Sequence, residues 1–250
     1  MDPRPASSAD LDRFRSLRAA EQEPGTFFGD GEKVVRRMLR AGLARTLLTT
    51  SAKLPAFEVP ADVEVLLVST AEMESIVGYR LHGGAIALGT IPPEKPIAGT
   101  LHVALDGLSD AENVGAILRT CAAFGVDGVI VGPDTASPWL RRAVRVSLGA
   151  PFVVPVHTTR DLAETVRPLN AWAAHIHGDK RDFLDVDYRV PVCLVLGSEA
   201  TGVSEKVIAA CKGIVYIPMA ASWDCLNVAA STAVLLGEVA RQRRIRTSPA

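Results

Sequence analysis

Three short stretches carry side chains whose types and spacing suit chemistry: "LDGLSDAENVGAILR", "LGSEATGVSEK" and "IPMAASWDCLNVAAS". In the first, Asn113 lies at a helix start, where an amide can cap the helix and still face a crevice. Gly115 permits close backbone approach there, and Arg119 follows about one and a half turns on. The plainer alternative is a capped helix with a surface arginine. In the second stretch Gly197 and Gly202 bracket a turn between a strand and a helix, nearly the spacing of a phosphate-binding loop. Val203 stands where that loop needs its lysine, so a nucleotide triphosphatase is disfavoured, and no GxGxxG with a following ribose-binding acid suggests NAD. Glu199 is left as a carboxylate suited to a positively charged ligand or catalytic neighbour. In the third stretch a polar amide, Asn227, sits at the apolar start of a long helix, after a loop holding Trp223, Asp224 and Cys225.

Such residues act together only if folded elements converge on them. Apolar strand candidates alternate with helical segments along most of the 250 residues, which predicts an α/β fold with a mostly parallel sheet covered by helices on both faces. In open parallel sheets ligands bind beyond the carboxyl ends of the strands, where all three stretches fall. The proline-rich "TIPPEKPIAG" reads as a linker and divides the chain into residues 1–91 and 98–246. In the first part "FFGDGEKVVRRMLRAG" reads as a turn and a helix after a short helix near Leu11 to Glu21, with strands at "LARTLLTT", "VEVLLVS" and "GGAIALG" around the helix "TAEMESIVGY". In the second part, "SPWLRRAVRVSLG" reads as a helix capped by Ser137 with Pro138 first, "FVVPV" as a strand, and the final helix runs from Leu226 to about Arg244.

The bulk numbers exclude several classes. A 48% hydrophobic content with net charge −1 describes an ordinary globular chain without general affinity for nucleic acid, though local basic patches remain open. No apolar run is long enough to span a bilayer, and the polar start lacks a signal-peptide core, so a cytoplasmic protein is expected. Cys121, Cys193, Cys211 and Cys225 have no metal-ligand spacing and read as reduced thiols, mostly in the core. His175 and His177 share a strand face with no third ligand nearby, so they read as structural and no metal is expected. Basic surface is offered by Arg36, Arg37 and Arg40, by Arg141, Arg142 and Arg145 beside Trp139, and by Arg241, Arg243, Arg244 and Arg246. Each group equally suits a solvated helix face.

In order and spacing, "NVGAILR", "LGSEATG" and "IPMAASWDCLNVAAS" resemble the three motifs of the SpoU (TrmH-like) family of RNA 2'-O-ribose methyltransferases in the SPOUT superfamily. "RVSLGAPFVVPV" resembles the segment between its first two motifs. The likeness covers roughly residues 101–241, and residues 27–89 more weakly resemble the small ribosomal-protein-like α/β RNA-binding domain that often precedes it. The resemblance implies a C-terminal trefoil knot, a homodimer, S-adenosyl-L-methionine as cofactor and RNA as substrate, ribosomal RNA in preference to transfer RNA. It places the cofactor against Leu196, Gly197, Ile217, Met219, Cys225 and Leu226, and the catalytic constellation on Asn113, Arg119, Glu199 and Asn227, with Glu199 holding Arg119. This chain departs from the pattern at Cys225 and Ala229, where the family usually has serine. A thiol is a weaker hydrogen-bond donor than a hydroxyl. Alternatives at this stage are a transfer-RNA 2'-O-methyltransferase, a catalytically weak RNA-binding assembly factor, or a nucleotide-dependent enzyme using "GSEATG" as a phosphate loop.

Overall fold

The computed structural model of the chain describes residues 2–15, 24–77, 84–220 and 225–243. Its contacts cluster into two units, Met1–Pro93 with Trp139–Val153, and Glu94–Pro138 with Val154–Ala250.

The first unit begins with β1 (Arg4–Pro5), α1 (Ser8–Arg15), β2 (Thr26–Asp30), α2 (Glu32–Arg40), β3 (Ala44–Thr49), β4 (Glu64–Leu67), α3 (Thr70–Val77) and β5 (Ala85–Thr90). Its sheet has the order β1-β4-β3-β5-β2. β4 runs parallel to β1 and β3, whereas β5 is antiparallel to β2 and β3. The residues read as a turn at "FFGD" are strand β2 instead, fully buried and paired along β5 from Thr26 to Asp30. Phe27 and Phe28 alternate to opposite faces, one in each of the unit's two cores. The helix expected near Leu11 to Glu21 is present as α1, and residues 16–21 lie outside the described residues.

Beyond the proline-rich linker come β6 (Leu101–Asp106), α4 (Ala111–Ala123) and β7 (Gly128–Val131). The chain then returns to the first unit for residues 139–153, which carry α5 (Arg141–Val146) and a 3-10 turn at Ala150–Phe152. The expected Ser137 cap and the "FVVPV" strand are therefore displaced. α5 starts after Leu140, and the strand β8 is Val156–Thr158. Pro151 and the left-handed Gly149 close the turn that occupies the expected strand. Trp139 packs on Phe27 and Phe152 with ring centroids 5.0 and 6.4 Å away, and Val144 enters the same core. A boundary drawn at the linker thus captures the first crossing of the chain but not this return segment.

The second unit continues through β8, α6 (Leu162–Val166), β9 (Ala171–Ala174), β10 (Lys180–Asp182), β11 (Val192–Gly197), α7 (Glu205–Ile208), β12 (Gly213–Tyr216) and α8 (Val228–Arg243). All seven strands are parallel, in the order β10-β12-β9-β11-β6-β7-β8. Small residues on one face (Ala104, Ala171, Ala173, Cys193) let α6 and α7 sit close. The alternation sends Leu194 and Leu196 to the other face, where α8 packs on β11 and along α4. No described helix is long and apolar enough to cross a membrane.

Candidate active site

The carboxyl ends of the three neighbouring strands β12, β9 and β11 open into a cavity of about 300 Å³. Leu196, Gly197, Ile217, Met219, Cys225 and Leu226, the six residues expected against a cofactor, all line it, together with Glu199 and Asn227. Among the described residues its lining includes no lysine or arginine, and Glu199 is the one carboxylate.

Asn113, Glu199 and Asn227 are brought together from three separate elements: α4, the loop after β11 and the start of α8. Asn227 is the residue before α8, and its Oδ1 accepts the Ala229 amide at 2.9 Å and that of Ala230 at 3.4 Å. The polar amide at the apolar helix start is an N-cap, satisfying two of the helix's otherwise unpaired N–H groups. Because its oxygen is committed, Nδ2 points outward and donates to Asn113 Oδ1 at 3.0 Å. That in turn orients the Asn113 amide, whose Nδ2 donates to Glu199 Oε1. The polarity of all three groups is set in one direction, from helix cap to carboxylate. Asn113 does not cap α4 as expected. Asp110 does so, accepting the Glu112 amide at 2.8 Å, which leaves Asn113 as the third residue of the helix, its side chain bonded to the cavity-lining Glu199 and Asn227.

Arg119 does not join this group. It is exposed and makes no hydrogen bond or ion pair with the described residues, and Glu199 is held by Asn113 instead. Six residues on, Arg119 leaves α4 about 120° around the helix from Asn113.

The sequence reading missed one wall. Ala174–His177, at the end of β9, lines the cavity, and His175 and His177 meet there edge to face with ring centroids 5.6 Å apart. The His175 imidazole is held below its ordinary value first by burial and then by the nearby charges of His177 and Lys180. The signal was present in their place at a strand's carboxyl end, the rule that located the other loops. Of the thiols, Cys121 and Cys193 are core, whereas Cys225 is exposed at the cavity.

The basic surfaces are largely engaged within the chain. Arg36 pairs with Glu32 at 2.9 Å, Arg37 donates to the Leu148 carbonyl, and Arg141 lies 2.8 Å from the buried Asp30, with Arg145 at 4.0 Å. Arg241 binds Glu238, and Arg243 donates to the carbonyls of Tyr188, Val190 and Thr100. Trp139 is partly buried against the first unit's core, and Arg244 and Arg246 lie outside the described residues.

A parallel α/β sheet with a cavity at adjoining strand ends defines a ligand-binding enzyme domain of the open-sheet class. The model of the SpoU rRNA Methylase family matches residues 100–237, more than half of the chain, and the protein belongs to that family. An uncharacterised tRNA/rRNA methyltransferase of Mycolicibacterium paratuberculosis is 34% identical over 240 residues, covering 86% of this chain and 77% of the relative. Among solved structures, a TrmH-family protein from Porphyromonas gingivalis is 29% identical with a TM-score of 0.84, covering 96% of this chain and 98% of that one. The AdoMet-bound rRNA methyltransferase of Sinorhizobium meliloti is 25% identical with a TM-score of 0.85, covering 98% of this chain and 99% of its own.

Proposed function

We propose that this protein is an S-adenosyl-L-methionine-dependent methyltransferase that methylates a ribose 2'-hydroxyl in RNA, with ribosomal RNA as substrate. The observation that carries the reading is the charge of the cavity: one carboxylate, an apolar floor, and no lysine or arginine among the described lining residues. A cationic sulfonium cofactor suits that environment, whereas ATP or NAD would bring phosphates with no cation to meet them. The apolar floor of Leu196, Ile217 and Leu226 fits the flat, weakly polar part of such a cofactor.

When bound, the cofactor supplies an electrophilic methyl group. The chain's residues do the rest by orientation, for which effective molarities are very large. Asn227 and Asn113 present amides of fixed polarity at the cavity mouth, where they hold the sugar hydroxyl. Glu199 is the carboxylate placed to take up the hydroxyl proton as the new C–O bond forms. Arg119 keeps its charge, as guanidinium groups do, and from its exposed position acts on an RNA phosphate or on alkoxide charge. Its assignment as a base is not supported by this geometry.

Ribosomal RNA is favoured because the likeness to the Sinorhizobium rRNA methyltransferase covers the first unit as well as the second. In this reading the first unit binds RNA, the second is knotted through its last strands and α8, the enzyme works as a cytoplasmic homodimer, and no metal takes part. Thermal shift and mapping of ribose methylation test it. S-adenosylmethionine raises the melting temperature while ATP and NAD do not, and cells lacking the gene lose one 2'-O-methylation in ribosomal RNA. Cofactor binding without that loss favours the assembly-factor reading, and a lost transfer-RNA site favours the transfer-RNA enzyme.

A further inference from the structure

The loop Gly197–Val203 is built as a stack. A Cβ on Gly197 would lie 2.0 Å from the Gly202 carbonyl carbon and 2.1 Å from the Val203 nitrogen, so the returning backbone rests directly on the end of β11. The turn is closed by the Gly202 amide donating to the Ser198 carbonyl at 2.8 Å. Gly202 has a left-handed φ of +71°, and a Cβ there would lie 2.4 Å from His175 Nδ1 and 2.5 Å from Cε1. Two missing side chains therefore bring three layers into contact: the end of β11, the returning loop, and the imidazole at the end of β9. Both the loop and the imidazole line the cavity.

Resting on the cofactor assignment above, we propose that His175 is a cofactor-positioning residue, its imidazole serving as the spacer that sets the gap between segments 174–177 and 197–202 in which S-adenosylmethionine binds. The charged neighbours acting on it are His177 on its own segment and Lys180 at the start of β10, and Glu199, Tyr216 and Cys225 line the same cavity. Burial first, then the nearby charges of His177 and Lys180, disfavour the charged form of the ring, which matters because a protonated wall would repel a sulfonium. Acidification should therefore weaken cofactor binding through this residue.

The test is equilibrium titration of the full-length protein with S-adenosylmethionine at about pH 8 and about pH 5, the lower value set well under the ordinary histidine pKa because the folded His175 ring titrates below it. His175→Ala is expected to weaken binding about tenfold at the higher pH by letting the loop collapse into the vacated space. His175→Phe keeps the spacer and is expected to bind within about threefold of wild type at the higher pH, without the wild-type loss at the lower one. In ligand-free protein, hydrogen exchange of the Gly202 amide speeds up in the alanine variant and not in the phenylalanine variant, while exchange elsewhere is unchanged. With saturating RNA, the alanine variant raises KM for the cofactor and leaves kcat in place. Should the alanine variant fail to fold, the pH comparison between wild type and His175→Phe decides. Equal affinity of the alanine variant and wild type, or a phenylalanine variant as pH-sensitive as wild type, overturns the spacer role while leaving methyl transfer intact. If wild type does not bind S-adenosylmethionine at all, this inference falls together with the functional reading.

Discussion

Asn227 serves a structural and a chemical purpose with the two ends of one amide, and the purposes can be separated. Asn227→Ser keeps an oxygen for the α8 cap but loses the Nδ2 donor to Asn113. Thermal stability should stay within about 0.5 kcal/mol of wild type while methyl transfer falls by about 10²-fold. Asn227→Ala removes both, and costs about 1 kcal/mol of stability as well. Chemical denaturation alongside single-turnover kinetics distinguishes the two, and equal kinetics for the serine variant and wild type would refute the directional relay. His175 adds a pH dependence of stability. Its folded-state pKa is lowered, so the unfolded chain binds more protons as pH falls through about 6.5, and stability drops on acidification in that window. At this scale the sequence was informative where a residue had a strand-end or helix-start address, as with Asn113, Glu199 and Asn227. It did not reveal that Glu199 is bonded to Asn113, because a motif lists residues in order and does not record which side chains meet.

Strand ends, helix caps and glycine contacts convert those residues into a site. Gly197→Ala should be more damaging than its small size suggests, because the added carbon meets backbone on the returning loop rather than a side chain that can turn aside. A loss of about 2 kcal/mol or more, with cofactor affinity reduced in parallel, is the expected result of denaturation and titration. Wild-type behaviour would show that the loop is not packed as described. Most elements were legible from period and punctuation, including the β3, β4, β5, β6 and β11 strands and the final helix. β2 was not, because Gly29, Asp30 and Gly31 carry a turn signal that its pairing with β5 overrides. The two-residue β1 held too little pattern to read. It is fastened by Arg4, whose guanidinium lies 2.7 Å from Asp10 and holds that carboxyl, with help from Ser7, well below the usual range. This contribution is present above the unfolded carboxylate pKa of about 4 and is lost as pH falls below it, so amide exchange in residues 4–10 should rise on strong acidification before the rest of the unit opens.

Across the whole chain, the first unit is not a simple N-terminal module. Its core includes Val144, and the partly buried Trp139 and Phe152 pack against it, all from a segment that follows β6, α4 and β7 in the chain. Nothing in "SPWLRRAVRVSLG" announces this, since a helix with an apolar face fits either unit and long-range partners leave no local mark. Trp139→Ala should lower the stability of the first unit by about 2–3 kcal/mol, read as an earlier melting step while the second unit's transition stays in place. Simultaneous, equal shifts of both transitions would contradict the assignment.

The most direct test of the central claim uses S-adenosylmethionine labelled in its methyl group, protein and ribosomal RNA, followed by digestion to nucleosides and separation by mass. The account predicts label in a single 2'-O-methylated nucleoside and its loss in Asn113→Ala, with cofactor affinity retained in that variant. Label on a base, or undiminished transfer by Asn113→Ala, would contradict it.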